Sequence, residues 1–178
     1  MKSIIMLTVW TVGHSTRSAE EFGKILVAHG VEVLVDVRMF PGSRRYPQFN
    51  KSVLSESLAG LGIEYKHAPS LGGRRTARAD SHNTAWRNPQ FRAYADYMET
   101  NEFRNGIKEL LQLATDRRTA VMCAEAVWWR CHRSLISDYL KASGHTVIHI
   151  IDQNKTEEHP FTSAARIVDG ELSYRGLI

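Results

Sequence analysis

Residues 4 to 12 are apolar and largely β-branched, and the run breaks at Gly13-His14-Ser15-Thr16. Beyond the break Phe22, Ile25, Leu26 and His29 recur at the spacing of one helix face, and Gly30 stands where a helix C-cap belongs. Residues 31 to 37 are apolar on both faces, as a buried parallel strand requires. Strand, helix and strand together predict a βαβ unit.

The alternation continues down the chain. A polar segment from Pro41 to Pro47 precedes a short helix carrying Leu54, Leu58 and Leu61 and ending at Gly62, after which Ile63 to His67 alternates like a strand. Residues 74 to 89 show no periodicity, and a stretch of that length reads as a binding loop or lid. Phe91, Tyr94, Ala95 and Met98 mark one helix, and Phe103, Ile107, Leu110, Leu111 and Ala114 mark the next. Thr119 to Cys123 is a compact buried strand. Leu135, Ile136, Tyr139 and Leu140 stripe the helix that follows, which Gly144 closes before a fifth strand from Thr146 to Ile151. Phe161, Ala164, Ala165 and Ile167 predict a last helix and a short closing strand.

These alternations predict one α/β domain over residues 1 to 178. The expected architecture is a three-layer, Rossmann-like sandwich with a mostly parallel sheet of five strands or slightly more and helices on both faces. At 178 residues the chain suffices for one hydrophobic core. In open sheets of this kind ligands bind beyond the carboxyl ends of the strands. That rule selects His14 to Thr16, Asp36 to Arg45, His67 to Arg75, Cys123 to Arg133, and His149 onward.

Composition narrows the class. The 43% hydrophobic and 24% charged fractions are those of an ordered globular chain. Two cysteines eight positions apart, Cys123 and Cys131, make no disulfide framework and read as thiols in a reducing compartment, which places the protein in the cytoplasm. Lys2 and the apolar residues after it read as the first strand rather than a signal peptide, and no run approaches a membrane span. Net charge is only +4, but 16 of the 23 basic residues are Arg, whose planar fork matches phosphate and carboxylate oxygens. A GC-rich genome is the competing account of that total.

The strand ends carry the candidate chemistry. Ser15 or Thr16 is expected at the N-cap of the first helix, where free amides and the dipole attract an anion, with His14 facing the same pocket. Asp36 interrupts an apolar strand and needs a partner, with Arg38 one candidate and a substrate group another. Arg44-Arg45 and Arg74-Arg75 sit in loops flanked by Tyr46, Phe49 and Trp86, the combination used on nucleotides and nucleic acids. Their bland reading is a solvated basic surface.

The sharpest segment is residues 122 to 133, Met-Cys-Ala-Glu-Ala-Val-Trp-Trp-Arg-Cys-His-Arg. A cysteine at a strand end, next to arginines and a helix start, is expected to have a depressed pKa, which makes Cys123 a candidate nucleophile. The bland alternative is a small core residue. Extending the stripe of Leu135 and Ile136 backwards puts Cys131 and His132 on the inner helix face, with Arg130 and Arg133 diverging. His132 or Glu125 would serve as acid or base. The layout resembles that of Cys-dependent phosphatases and rhodaneses. Those place Arg six positions after Cys, whereas Arg130 falls at seven and the loop holds two Trp and no Gly. A metal site of Cys123, Cys131 and His132 has no recognised zinc spacing and no evident fourth ligand, so no metal is expected.

Several separated strings together resemble one family: Gly-His-Ser-Thr-Arg-Ser at 13 to 18, Val-Asp-Val-Arg at 35 to 38, Pro-Gly-Ser-Arg-Arg at 41 to 45, Leu-Gly-Gly-Arg-Arg at 71 to 75, Phe-Arg-Ala-Tyr-Ala-Asp-Tyr-Met at 91 to 98, and Met-Cys-Ala-Glu with Cys-His-Arg-Ser within 122 to 134. The chain is similar, over nearly its whole length, to the bacterial domain of unknown function numbered 488. The resemblance implies that His14, Arg38, Arg44, Arg45, Arg74, Arg75, Cys123, Glu125, His132 and Arg133 match that family's motif positions. It departs from the pattern at Val127-Trp128-Trp129, where a Pro often stands.

Three functions compete at this stage. The first is an enzyme, a hydrolase or transferase, acting on a phosphate-bearing small molecule, nucleotide or nucleic acid with Cys123 as nucleophile. The second is a non-catalytic nucleic-acid-binding module, and the third a thiol-based sulfur carrier or redox protein. None of them names a cofactor.

Overall fold

The computed structural model describes residues 5–176. Of the predicted first strand, Ile4 lies outside the described residues. Strand β1 spans Thr8–Gly13 and starts later than the apolar run suggests, because pairing begins at Thr8 opposite Thr146 and leaves Ile5 and Met6 exposed. Then follow α1 (Ala19–Ala28), β2 (Val33–Asp36), α2 (Lys51–Ala59), β3 (Glu64–His67), α3 (Pro89–Tyr97), α4 (Asn101–Ala114), β4 (Thr119–Cys123), α5 (Arg133–Ala142) and β5 (Thr146–Ile150).

Two expectations are corrected here. The first helix is capped by Ser18, whose hydroxyl accepts from the Glu21 amide, so Ser15 and Thr16 form a turn before the helix and not its N-cap. Ser15 takes a φ of 52°, which turns the chain between strand and helix. The tail forms no helix among the described residues. It contributes β6 (Thr156–Glu158), antiparallel to β5, and a hairpin of β7 (Arg166–Val168) with β8 (Glu171–Ser173). Asp169 and Gly170 join the hairpin with φ of 52° and 80°, the turn that an Asp-Gly pair supplies.

The sheet has six strands in the order β3-β2-β4-β1-β5-β6, parallel except for β6. Its core divides into two clusters. Val12, Leu34, Ala120, Met122 and Ile150 pack with Phe22, Leu26, Leu54 and Leu58 of α1 and α2. Val9, Val33, Val35, Val121 and Val147 pack with Tyr94, Phe103, Leu110, Leu135 and Leu140 of α3, α4 and α5. Val33, Leu34 and Val35 alternate between the clusters, as period-two side chains must. Connections from β1 to β3 run one way along the sheet with one cluster's helices, and those from β3 to β5 run back with the other's, the separation that right-handed crossovers impose.

The consequence is local. Strand β4 returns between β1 and β2, so their three carboxyl ends lie side by side with Gly13 opposite Cys123 and Asp36 opposite Met122. The long segment after β3 has no helix or strand between residues 72 and 88. It is fastened to α3, where the buried Asp96 carboxylate accepts from the Arg78 amide, the Ser81 hydroxyl and the Asn83 side chain at 3.1, 2.6 and 2.7 Å.

Candidate functional site

Beyond β4 the chain turns away as a loop from Ala124 to His132, with a short turn at Trp128–Arg130. The start of this loop presses against β1. The His14 and Ser15 amides donate to the Cys123 and Ala124 carbonyls at 3.0 and 2.9 Å, and a Cβ on Gly13 would lie 1.7 Å from the Glu125 carbonyl oxygen. Only glycine permits that approach. None of the amides from Ala124 to Trp129 donates to a protein acceptor among the described residues.

A cavity of about 300 Å³ opens at this edge. Cys123, Glu125, Cys131 and His132 line it together with Arg38, Arg74 and Arg130, and Phe40, Phe91 and Tyr94 supply apolar wall. Arg133 is not on the rim. It is 1% exposed, reversing the expectation that it diverges from the inner face, because the first residue of α5 points back under the loop. Its Nη2 donates to the Glu125 carbonyl at 3.1 Å, its Nη1 lies 3.4 Å from the Thr11 hydroxyl, and its Nε has no partner. Among the described residues no carboxylate pairs with it.

The two thiols respond oppositely to this surrounding. Burial pushes the Cys123 thiol up, but a hydrogen bond from Cys131, the Arg133 charge and the Glu125 backbone outweigh it and bring it down to about 7. Burial, together with the neighbouring Cys123, pushes Cys131 well above the ordinary range, so it stays a thiol. The Cys123 sulfur lies 3.8 Å from the same Glu125 carbonyl that Arg133 holds. Cys131 Sγ receives the Arg133 amide at 3.4 Å and lies 3.4 Å from His132 Nδ1.

Both candidate histidines are neutral. Burial, reinforced by nearby arginines, lowers His132 and His14 to about 4. His132 Nε2 donates to the Val37 carbonyl at 3.0 Å, which commits the ring to the backbone. His14 Nδ1 faces the Ser15 carbonyl at 2.8 Å, its ring stacks on Phe49 at 4.1 Å, and its Nε2 lies 3.4 Å from an Arg38 nitrogen.

Asp36 ends β2 and is fully buried, with Arg38 the partner that the sequence offered. The guanidinium covers both carboxylate oxygens, the Tyr65 hydroxyl donates to Oδ2 at 2.5 Å, and the Arg38 amide donates to Oδ1 at 3.0 Å. That arrangement aims Arg38 at the cavity and leaves the Asp36 carboxylate no open position.

The arginines divide by place. Arg38, Arg74 and Arg130 line the cavity and Arg133 lies behind it. Arg44 and Arg45 are exposed outside its lining, with Arg45 over the Tyr46 ring at 5.4 Å. Arg75 donates to the Gly72 and Pro69 carbonyls and lies over Tyr97 at 3.6 Å, so it ties its loop to α3. Of the five stretches expected to converge, three line the cavity, at residues 38 to 40, 73 to 74 and 123 to 132; His14 contacts it only through Arg38, and the residues from His149 onward lie outside its lining.

Sequence reasoning selected the stretch from His149 onward as a strand end but did not identify the buried polar group behind the site, Thr11, Asp138, His149 and His159. Asp138 and Thr11 lie outside the strand ends where ligands were sought, and no spacing in the chain relates them to the two histidines. No helix among the described residues is long and apolar enough to cross a membrane.

Comparison with known proteins returns a single family. The family described as "Domain of unknown function DUF488" matches residues 18–140, which contain β2 to β4 and most of α5. No curated protein and no solved structure matches the chain.

Proposed function

The chain belongs to the DUF488 family, whose description names no activity, and we propose from its geometry that it is a Cys-dependent enzyme acting on an oxyanion-bearing substrate, with Cys123 as nucleophile. One observation carries this reading: a thiol held near 7 on a cavity lined by arginines, above a buried guanidinium that has no carboxylate partner among the described residues. A buried cation without a counter-charge is costly, and a thiolate or a bound oxyanion would supply one. We read the two core clusters as the two faces of a three-layer, Rossmann-like sandwich, which makes the cavity its strand-end crevice.

For a phosphate ester the roles divide as follows. Arg38, Arg74 and Arg130 hold the non-bridging oxygens, with the free amides of the 124 to 129 loop as further donors. The Cys123 thiolate attacks phosphorus, the bond to the leaving oxygen breaks, and an acid returns a proton to that oxygen. Water then releases phosphate and regenerates the thiolate. Glu125 is the acid and base of this scheme, because its carboxylate is exposed at the cavity while His132 and Asp36 are committed within the fold. His14 orients Arg38.

The test is the pH dependence of Cys123 alkylation by iodoacetamide, followed on its own peptide, with and without inorganic phosphate. A midpoint near 7 and protection by phosphate are expected. An ordinary thiol midpoint removes the nucleophile, and with it the sulfur-carrier and redox reading that also needs a reactive Cys123.

A second reading, a non-catalytic nucleic-acid-binding module, is favoured by the exposed arginine and aromatic pairs, Arg45 with Tyr46 and Arg74 with Phe40. It requires affinity for single-stranded nucleic acid that falls steeply with salt and survives loss of Cys123.

A further inference from the structure

Behind the cavity a line of hydrogen bonds crosses the protein interior. Arg133 Nη1 lies 3.4 Å from the Thr11 hydroxyl, that hydroxyl lies 2.5 Å from His149 Nδ1, His149 Nε2 lies 2.8 Å from His159 Nδ1, and His159 Nε2 lies 2.8 Å from Asp138. The five side chains are each no more than 1% exposed. They come from β1, β5, the segment after β6 and α5, so only the fold assembles them.

The chemistry gives the line one direction. Asp138 also accepts from the Thr162 amide and hydroxyl and from the Tyr174 hydroxyl, which makes it a carboxylate with only donors around it. With a neutral ring, His159 presents an N–H from Nε2 and its Nδ1 accepts from His149. His149 then protonates at Nε2 and accepts at Nδ1 from the Thr11 hydroxyl, whose oxygen is free to receive Arg133. Every donor from Arg133 Nη1 to Asp138 then finds an acceptor along the line, and its two ends are a carboxylate and a guanidinium.

The surroundings keep the rings in place. Trp128, from the loop that carries Glu125, stacks on His149 at 4.7 Å within 6° of parallel and donates to Glu157. Lys141 holds the His159 carbonyl. Burial, with His159 and Arg133 adding to it, drives His149 down to about 2, so the link stays neutral.

We propose that Thr11, His149, His159 and Asp138 are positioning residues for Arg133, a fixed polar line that anchors its guanidinium beneath Cys123 to a carboxylate further along the same helix, α5. Among the described residues Thr11 is the only side chain that accepts from Arg133; the other acceptors are the Glu125 and Ala126 carbonyls of the loop that also carries Trp128. Cys131, Arg133 and Glu125 act on the Cys123 thiol directly, and Arg38, Arg74, Arg130 and His132 share its cavity. This proposal rests on the reading of Cys123 as the nucleophile, since it assigns a purpose to the charge beneath it.

The test replaces Thr11→Val, which keeps shape and removes the hydroxyl, with Thr11→Ser as the conservative variant. Ultraviolet thiolate absorbance and peptide-resolved alkylation read the Cys123 midpoint in each, and circular dichroism reads folding. The expected result is a wild-type midpoint near 7, a rise of about one unit in T11V that cuts the thiolate fraction at neutral pH about fivefold, and a return towards wild type in T11S. An unchanged midpoint in folded T11V overturns the positioning role and leaves the nucleophile standing. An ordinary midpoint in the wild type overturns both. If T11V does not fold, Asp138→Asn and His149→Gln are read in the same way, and an unchanged midpoint in either overturns the proposal.

Discussion

Asp36 and Arg38 close on each other two-pronged, with Nε 2.9 Å from Oδ1 and Nη2 2.7 Å from Oδ2, at the point where β2 ends. The carboxylate is wholly enclosed and the guanidinium side chain 11% exposed. Breaking such a pair from one side leaves an unmatched charge in a low-dielectric place. Asp36→Asn is expected to cost about 3–5 kcal/mol, read by urea unfolding, whereas Tyr65→Phe, which removes one donor, costs about 1–2 kcal/mol. Equal effects of the two substitutions would contradict the pairing.

Gly13→Ala puts a methyl group into the Glu125 carbonyl, a backbone atom with no flexible end to swing away. The expected outcome is a loss of about 3 kcal/mol or more, with a displaced 124 to 126 loop. Because that carbonyl also holds Arg133, the Cys123 midpoint should rise in whatever folded protein remains. A variant of wild-type stability would show that the loop yields freely.

Acid should unfold the protein through its neutral histidines. His14 and His132 are lowered to about 4 from an ordinary 6.5, so the unfolded chain binds protons that the folded chain refuses. Stability is therefore complete above 6.5 and falls as pH drops towards 4, by about 3 kcal/mol for each ring at the lower end. Urea midpoints measured across that window check the slope. A flat profile would mean that the rings are charged or solvated in the folded protein.

Arg133→Met tests the buried charge directly. Removing the guanidinium takes away a force that holds the Cys123 thiol low, so its midpoint should move towards the ordinary value of about 8.5. Alkylation near neutral pH should slow correspondingly. An unmoved midpoint would assign the lowered thiol to Cys131 and the Glu125 backbone.

The elements between β1 and β5 were legible because each has its own period. Phe22, Ile25 and Leu26 recur as a helix must, and Val33 to Val35 run apolar through both faces as a central parallel strand must. The last stretch was read only in part, since a short closing strand was expected but with a helix before it; although Asp169-Gly170 is a hairpin signal, strands of three residues carry too little apolar alternation to announce them. Ser15 and Thr16 lost the cap to Ser18 since any hydroxyl in that turn satisfies the local rule, and the backbone turn at Ser15 decided among them.

By itself the chain's pattern determined the βα alternation, the strand ends where a ligand was sought, and Cys123, Glu125, Arg38, Arg74 and Arg130 as members of one edge. The tertiary structure alone decided that β4 inserts between β1 and β2, that Arg133 turns inward while Arg44 and Arg45 face water, and that Asp138, His159, His149 and Thr11 line up behind it. The physical reason is range. Periodicity and caps act between residues a few positions apart, whereas the pairing of a buried charge is settled by whatever distant polar group the packed sheet and helices bring within hydrogen-bonding reach.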